Sequence, residues 1–249
     1  TATTEIYTLS LHDVLPIWDD KNVLKLKTSN KIYYYGFKTN NDIYATNITM
    51  NTTGSDFDVF YNQNFLGHFH MPLVGKHMIL NALASVLVGL LYNVDLTTIK
   101  NTLNNFATPK RRFKETIVGD NIMIDDYAHH PTEILKTIEA ARIKYPNKKI
   151  IAIFKPNTYS RTLALKDDFI KVLSTADVAY ITPIDCNREK QSDYPDISSD
   201  DLVSKIPNGH LLNDSDITSL TKYHDSVLVF MSCANIYTLE DKYKELVSK

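Results

Sequence analysis

The chain has 249 residues, 27 Lys and Arg against 29 Asp and Glu, a formal net charge of −2 and 43% apolar residues. That is the profile of a soluble globular protein of one or two domains, and the near-zero charge argues against a broad nucleic-acid surface, which would show as a basic excess. Glycine is scarce, at 7 residues, and neither a GxxxxGK[ST] nor a GxGxxG phosphate loop occurs in the sequence.

Residues 1–17, TATTEIYTLSLHDVLPI, lack the basic start and sustained apolar core of a signal peptide. They resemble the read-through translation of a sequencing adapter joined to a gene fragment. On that reading they are a non-native leader and the natural sequence continues upstream; a genuine short strand and loop is the alternative. From Trp18 to His70 the pattern alternates and is rich in β-formers: Val23 to Leu26, Ile32 to Phe37, Ile43 to Ile48, Phe57 to Tyr61 and Phe65 to Phe69, with Asn, Thr, Ser and Gly between them. Antiparallel strands are expected there. Two helical patterns follow, Lys76 to Tyr92 and Asp95 to Phe106. The longest apolar run, Ile79 to Tyr92, contains Asn81 and falls short of the about 20 residues a bilayer span needs; a core helix is expected. The polar, basic segment Ala107 to Glu115 is expected to lead to a domain boundary just after it, dividing 18–115 from 116–249.

After residue 116 strands and helices alternate. Strands are expected at 122–126, 149–154, 178–182 and 226–231, with a weaker one near 210–212, and helices at 131–145, 160–175, 198–206, 214–223 and 235–248. KIIAIF (149–154) and SVLVFM (226–231) are continuous apolar runs, the mark of parallel strands covered on both faces. The fold class is therefore α/β, a doubly wound, mostly parallel sheet, preceded by antiparallel strands with two helices. Right-handed crossovers would gather the βα loops 125–130, 155–160, 183–197 and 232–235 along one edge.

The stretch from Ile122 to Ile134 concentrates reactive side chains at such an edge. A strand runs into Asp125, Asp126, Tyr127, His129 and His130, then into a helix opened by Pro131 with Glu133 in its first turn. Carboxyl ends of strands are where open α/β sheets bind ligands. Successive strand residues point to opposite faces, so one of the two aspartates is expected to face the cleft and the other to make structural hydrogen bonds. His129 and His130 have no third metal ligand at suitable spacing; they are read as hydrogen-bonding an anionic substrate, with an N-cap role open for one of them. Arg161 beside Ser160 is a candidate anion contact, against a solvated loop. The acidic run Asp193, Asp196, Asp200 and Asp201 is read as solvated, with Ser198 or Ser199 capping a helix. Asn81 needs a partner if buried, as a core amide or as a group reading a base edge. Lys110, Arg111 and Arg112 either grip phosphates or form a basic surface linker. Cys186 and Cys233 form no CxxC or Cys/His spacing, so no disulfide framework or structural zinc is expected, and a reducing cytoplasm is the natural setting.

Taken together, GKHMILNALA (75–84), PKRRFKE (109–115), IDDYAHHPTEI (124–134), FKPNTYSRT (154–162) and VLVFMSCANI (227–236) resemble the Mur ligases. Within the family they are most similar to the branch that joins L-alanine to UDP-N-acetylmuramate in peptidoglycan synthesis. IDDYAHHPTEI is the most specific segment, and the resemblance covers residues 18–249 in the family's order. It implies the carboxyl-terminal half of the family's central ATPase domain followed by its Rossmann-like carboxyl-terminal domain. It also implies ATP-dependent activation of the muramyl carboxylate to an acyl phosphate, then attack by the L-alanine amine. Asn81, with His77 nearby, would contact the adenine and Arg112 the ATP phosphates. Asp126 would hold the ribose with Tyr127 close to the nucleotide, and His129, His130 and Arg161 would meet the muramyl substrate. The family's P-loop, its Mg2+ ligands and its UDP site belong to upstream sequence, so no catalytic or metal residue is assigned here and the 249 residues alone are expected to be inactive.

Departures from the family pattern occur at Lys155-Pro-Asn157, at Thr158 and at Ser232-Cys-Ala-Asn235, where glycines are usual. They keep two other readings in view: a ligase that recycles a tripeptide onto muramate, and a nucleotide-binding module without catalysis.

Overall fold

The computed structural model describes residues 31–248, and the chain divides into two units between Ala107 and Thr108. The first unit is built on a sheet of β1 (Tyr35–Gly36), β2 (Ile43–Asn51), β3 (Gly54–Tyr61) and β4 (Asn64–Met71) in that order, antiparallel apart from the β1–β2 pair. The period-2 alternation sends Phe57, Val59, Phe69 and Met71 to one face and Asp56, Asp58, His68 and His70 to the other. On the apolar face α1 (Lys76–Leu91) lays Ile79, Leu83, Val86 and Leu87, all fully buried. Next comes α2 (Leu96–Asn104), which adds Ile99 and is capped by Asp95, whose carboxylate accepts from Thr98 N at 3.0 Å. Of the strand expected at 32–37, β1 takes in only Tyr35–Gly36; beside it the Asp42 side chain accepts the Tyr34 N–H at 2.6 Å. The expectations for residues 1–17 and for a strand at 23–26 lie outside the described residues.

The second unit contains β5 (Lys114–Val118), β6 (Asn121–Asp126), α3 (Pro131–Lys144), β7 (Ile150–Phe154), α4 (Tyr159–Ala164), α5 (Lys166–Leu173), β8 (Val178–Ile181), α6 (Ser199–Val203), β9 (Gly209–Leu211), β10 (Val227–Met231) and α7 (Tyr237–Val247). Its sheet runs β5-β6-β10-β7-β8-β9, parallel except where β5 pairs antiparallel with β6. Every residue of β7 and β10 is buried, as their unbroken apolar runs require. Ile124, Ala152 and Val229 face Ile134, Ile138 and Ala141 of α3 and Phe169 and Leu173 of α5. On the other face Met123, Ile151, Leu228 and Phe230 meet Leu239 and Tyr243 of α7. The sheet is thus doubly wound, as expected.

Three stretches of the second unit depart from the expectation. β5 was not expected, and it carries the boundary back to Ala107/Thr108; as an edge strand it buries little, and Ile117 is 77% exposed. The helix expected over 160–175 is two helices meeting at Leu165, whose φ of −116° and ψ of 20° leave the helical region. The helix expected at 214–223 is a 3-10 turn over Ile217–Lys222, with Ser219 N donating to Asp216 O at 2.8 Å. No helix among the described residues is long and apolar enough to cross a membrane.

Candidate functional site

β6 and β10 are neighbours, yet the helices that follow them lie on opposite faces of the sheet. That arrangement is a topological switch point, and beyond the carboxyl ends of strands at such a point is where open α/β sheets take ligands. The two strands are tied there by Ser232 N, which donates to Asp126 O at 3.2 Å.

Asp125 and Asp126, both under 10% exposed, part company as strand geometry demands. Asp126 accepts Ala128 N on one oxygen at 2.8 Å and Phe113 N on the other at 2.7 Å. Burial raises its carboxyl above the usual range, while the two amides and Arg112 pull it back. Asp126, expected as a ligand contact, is thus a structural acceptor in this fold, and each oxygen keeps one lone pair for a further donor. Asp125 turns to Arg111, 3.7 Å from its Nε, and to Glu240 of α7. Burial raises Asp125 too, against the pull of Arg111. Glu240, 2% exposed, is pushed up to about 7 by burial first and by the charge of Asp125 second. The sequence reading missed Glu240. Its signal was available, because it stands one turn after Ile236 and three residues before Tyr243, an acid on an apolar stripe.

The basic run resolves into different roles. Arg111, at a positive φ of 59°, points inward. Its guanidinium donates to the Ser232 carbonyl and to Ala234 O at 3.0 Å, and lies over the rings of Tyr127 at 4.8 Å and Tyr237 at 5.1 Å. Arg112 is exposed, 5.5 Å from the Tyr127 ring. An exposed guanidinium beside an aromatic face is a donor set suited to a phosphorylated planar ligand.

His129 sets Nδ1 2.9 Å from Tyr127 O and 3.2 Å from Glu133, with its ring edge-on to Tyr127 at 5.4 Å. His130 is the N-cap of α3: its ring accepts from Thr132 N at 3.3 Å, and Glu133 accepts the His129 and His130 amides at 3.0 and 3.1 Å. Of the two histidines, His130 thus takes the capping role that the sequence left open. Arg161 folds back on its own loop, donating to Asn157 O at 2.8 Å, with Cys233 Sγ at 3.8 Å.

The departures from the family pattern are locally knitted. Lys155 Nζ donates to Asn235 O at 3.0 Å, and Ser232 Oγ donates to Lys155 O and accepts Ala234 N, each at 2.9 Å. Thr158 and Ser160 both bond Glu189. Ser198 caps α6, with Asp201 completing the reciprocal pair. Among the described residues no three His, Cys, Asp or Glu side chains are placed to hold a metal ion. A shallow cavity of about 190 Å³ near Tyr159, Ile184, Ser198 and Leu211 is smaller than usual ligand pockets.

In the first unit, His77 and Asn81 stand one turn apart on α1. Asn81 is exposed, with its carbonyl accepting Ser85 Oγ at 3.0 Å, so it is not a core amide. Gly75 precedes the helix at a φ of 123°, where a Cβ would meet the His77 ring at 2.7 Å.

Residues 4–89 match the Mur ligase middle domain, and residues 111–233 match the domain described as Mur ligase, glutamate ligase domain. The chain belongs to the Mur ligase family. It is 44% identical over 238 residues to a UDP-N-acetylmuramate–L-alanine ligase of Pediococcus pentosaceus, covering 95% of this chain and 54% of that protein. It is 45% identical over 232 residues to the ligase of the same name from Levilactobacillus brevis, covering 92% of this chain and 52% of the relative. A UDP-N-acetylmuramate–alanine ligase structure from Thermotoga maritima superposes with a TM-score of 0.74 at 22% identity, over 94% of this chain and 51% of that one. A murein peptide ligase from Psychrobacter arcticus reaches 0.68 at 20% identity, over 95% and 51%. The two structures show a shared Mur ligase fold, and the chain spans about half the length of the curated relatives it matches.

Proposed function

We propose that this chain is part of an ATP-dependent ligase that adds L-alanine to UDP-N-acetylmuramate in the cytoplasm, for peptidoglycan synthesis. The observation that carries the reading is identity of 41–45% over nine-tenths or more of the chain to ligases named for that reaction. ATP, when bound, supplies the phosphoryl group that turns the muramyl carboxylate into an acyl phosphate open to the alanine amine. The residues of this chain bind and orient. Asn81, with His77, reads the adenine edge from the exposed side of α1; Arg112 holds phosphate oxygens; Tyr127 packs against the nucleotide; and Asp126 accepts from the ribose. His129, His130 and Arg161 meet the muramyl moiety. His129 is turned by the Tyr127 carbonyl and Glu133, which favour a proton on Nδ1 and leave Nε2 toward the substrate. Mg2+ is the expected partner of the phosphates, but the described residues of this chain offer no set of three His, Cys, Asp or Glu side chains to hold it.

No phosphate loop occurs in these 249 residues, so they are expected to bind nucleotide without turning it over. A full-length ligase that carries these 249 residues, assayed for ADP release with L-alanine and with tripeptide, tests the proposal. Alanine-dependent release supports it. Release with tripeptide alone gives the recycling ligase, and binding of ATP and UDP-N-acetylmuramate without turnover gives the non-catalytic module.

A further inference from the structure

Three buried polar atoms meet behind the candidate nucleotide edge, and none has a hydrogen-bond partner: Arg111 Nε, Asp125 Oδ1 and Glu240 Oε1. Asp125 and Glu240 lie within hydrogen-bonding reach of each other. Two buried carboxyl oxygens that face one another without a donor are satisfied by one proton held between them. With that proton in place the pair carries one negative charge, which matches the one positive charge of Arg111. In front of the pair, Arg111 reaches two carbonyls of the turn after β10, the faces of Tyr127 and Tyr237, and, through its own carbonyl, the Tyr127 N–H at 2.9 Å.

We propose that Arg111 is a positioning residue. Backed by the Asp125–Glu240 carboxyl pair, it holds the Tyr127 ring and the Ser232–Ala234 turn in place, and loss of the proton between the carboxyls loosens that hold. The importance of this clamp for nucleotide binding rests on the proposed function; the clamp itself does not. The charges that face the pair are Arg111 from the segment before β5, Asp126 beside it on β6, and Asp241 and Lys244 on α7, with Arg112 acting on Asp126. Lys244 is itself engaged by Asp241 at 3.1 Å, so it offsets a second negative charge only in part. The position of Glu240, pushed up to about 7, puts the release of the proton in the neutral range.

Amide hydrogen exchange on the 249-residue chain, corrected for the intrinsic pH dependence of exchange, tests the clamp in residues 126–130 and 232–236. The wild type should lose roughly threefold or more of its protection there between pH 6 and pH 8.5. Glu240→Gln should remove that pH dependence. Arg111→Lys should stay unprotected at both pH values, because an ammonium cannot bond two carbonyls and stack on two rings together. ADP affinity, measured in parallel, should fall with rising pH in the wild type and stay flat in Glu240→Gln. Wild-type pH dependence retained in Glu240→Gln, or wild-type protection retained in Arg111→Lys, overturns the proposal. If the exchange pattern holds and the wild type binds no ADP, the clamp stands and the nucleotide reading fails.

Discussion

Asp126→Asn isolates the structural share of the residue proposed to hold the ribose. The native carboxylate receives two backbone N–H groups, Phe113 N at 2.7 Å and Ala128 N at 2.8 Å, one on each oxygen. An asparagine keeps one oxygen and turns an NH2 toward the second amide, leaving a buried donor without an acceptor at a cost of about 1–3 kcal/mol. Removing a buried charge that already sits above its ordinary pKa returns some of this, so a net loss of about 1–2 kcal/mol is expected. For a unit of this size that lowers the unfolding temperature by roughly 3–8 °C, and Asp126→Ala, which abandons both amides, should cost more. Thermal unfolding followed by circular dichroism at pH 7 measures the effect. Asp126→Asn unfolding at the wild-type temperature would refute the argument that the carboxylate is held by these amides. A loss of nucleotide affinity in the variant could then be read as a lost ligand contact alone.

Glu240→Gln should change how stability depends on pH. The folded-state pKa of Glu240 is raised from 4.5 to about 7, so its contribution is fully present below about 4.5 and disappears as pH rises through about 7. The shift is worth at most about 3 kcal/mol, and sharing of the proton with Asp125 reduces it. In urea unfolding the wild type should lose roughly 1–3 kcal/mol between pH 5 and pH 8.5 that the variant keeps; equal slopes would count against the buried pair. Limited proteolysis should cut between Asn105 and Phe113 and leave about residues 108–249 intact, since that unit covers its own sheet on both faces; complete digestion contradicts this. Gly75→Ala, at a φ of 123° and with a Cβ 2.7 Å from the His77 ring, should destabilise the first unit by about 1–3 kcal/mol, which its own unfolding transition would report.

Much of the second unit could be read from residue order. The all-apolar runs over 149–154 and 226–231 announced strands buried on both sides, and β7 and β10 occupy them. Pro131 and Glu133 announced the start of α3, where Glu133 does close the cap. β5 escaped because an edge strand buries one residue in five and carries almost no apolar signal. The direction of each arginine in Lys110-Arg111-Arg112 also escaped, because it depends on backbone dihedrals, the positive φ of Arg111 above all. That inversion turns Arg111 in toward the Ser232 and Ala234 carbonyls and leaves Arg112 exposed. The pairing of Asp125 with Glu240 joins positions 115 residues apart, and no local pattern encodes such a contact.

Titration of the 15N-labelled 249-residue chain with ADP tests most directly whether the carboxyl edge of the second sheet is a nucleotide face. Saturable amide shifts concentrated at residues 111–113, 126–130 and 232–235 are the predicted result. Absence of saturable shifts there, or shifts gathered instead at the opposite edge around Gly119 and Asp225, would contradict it.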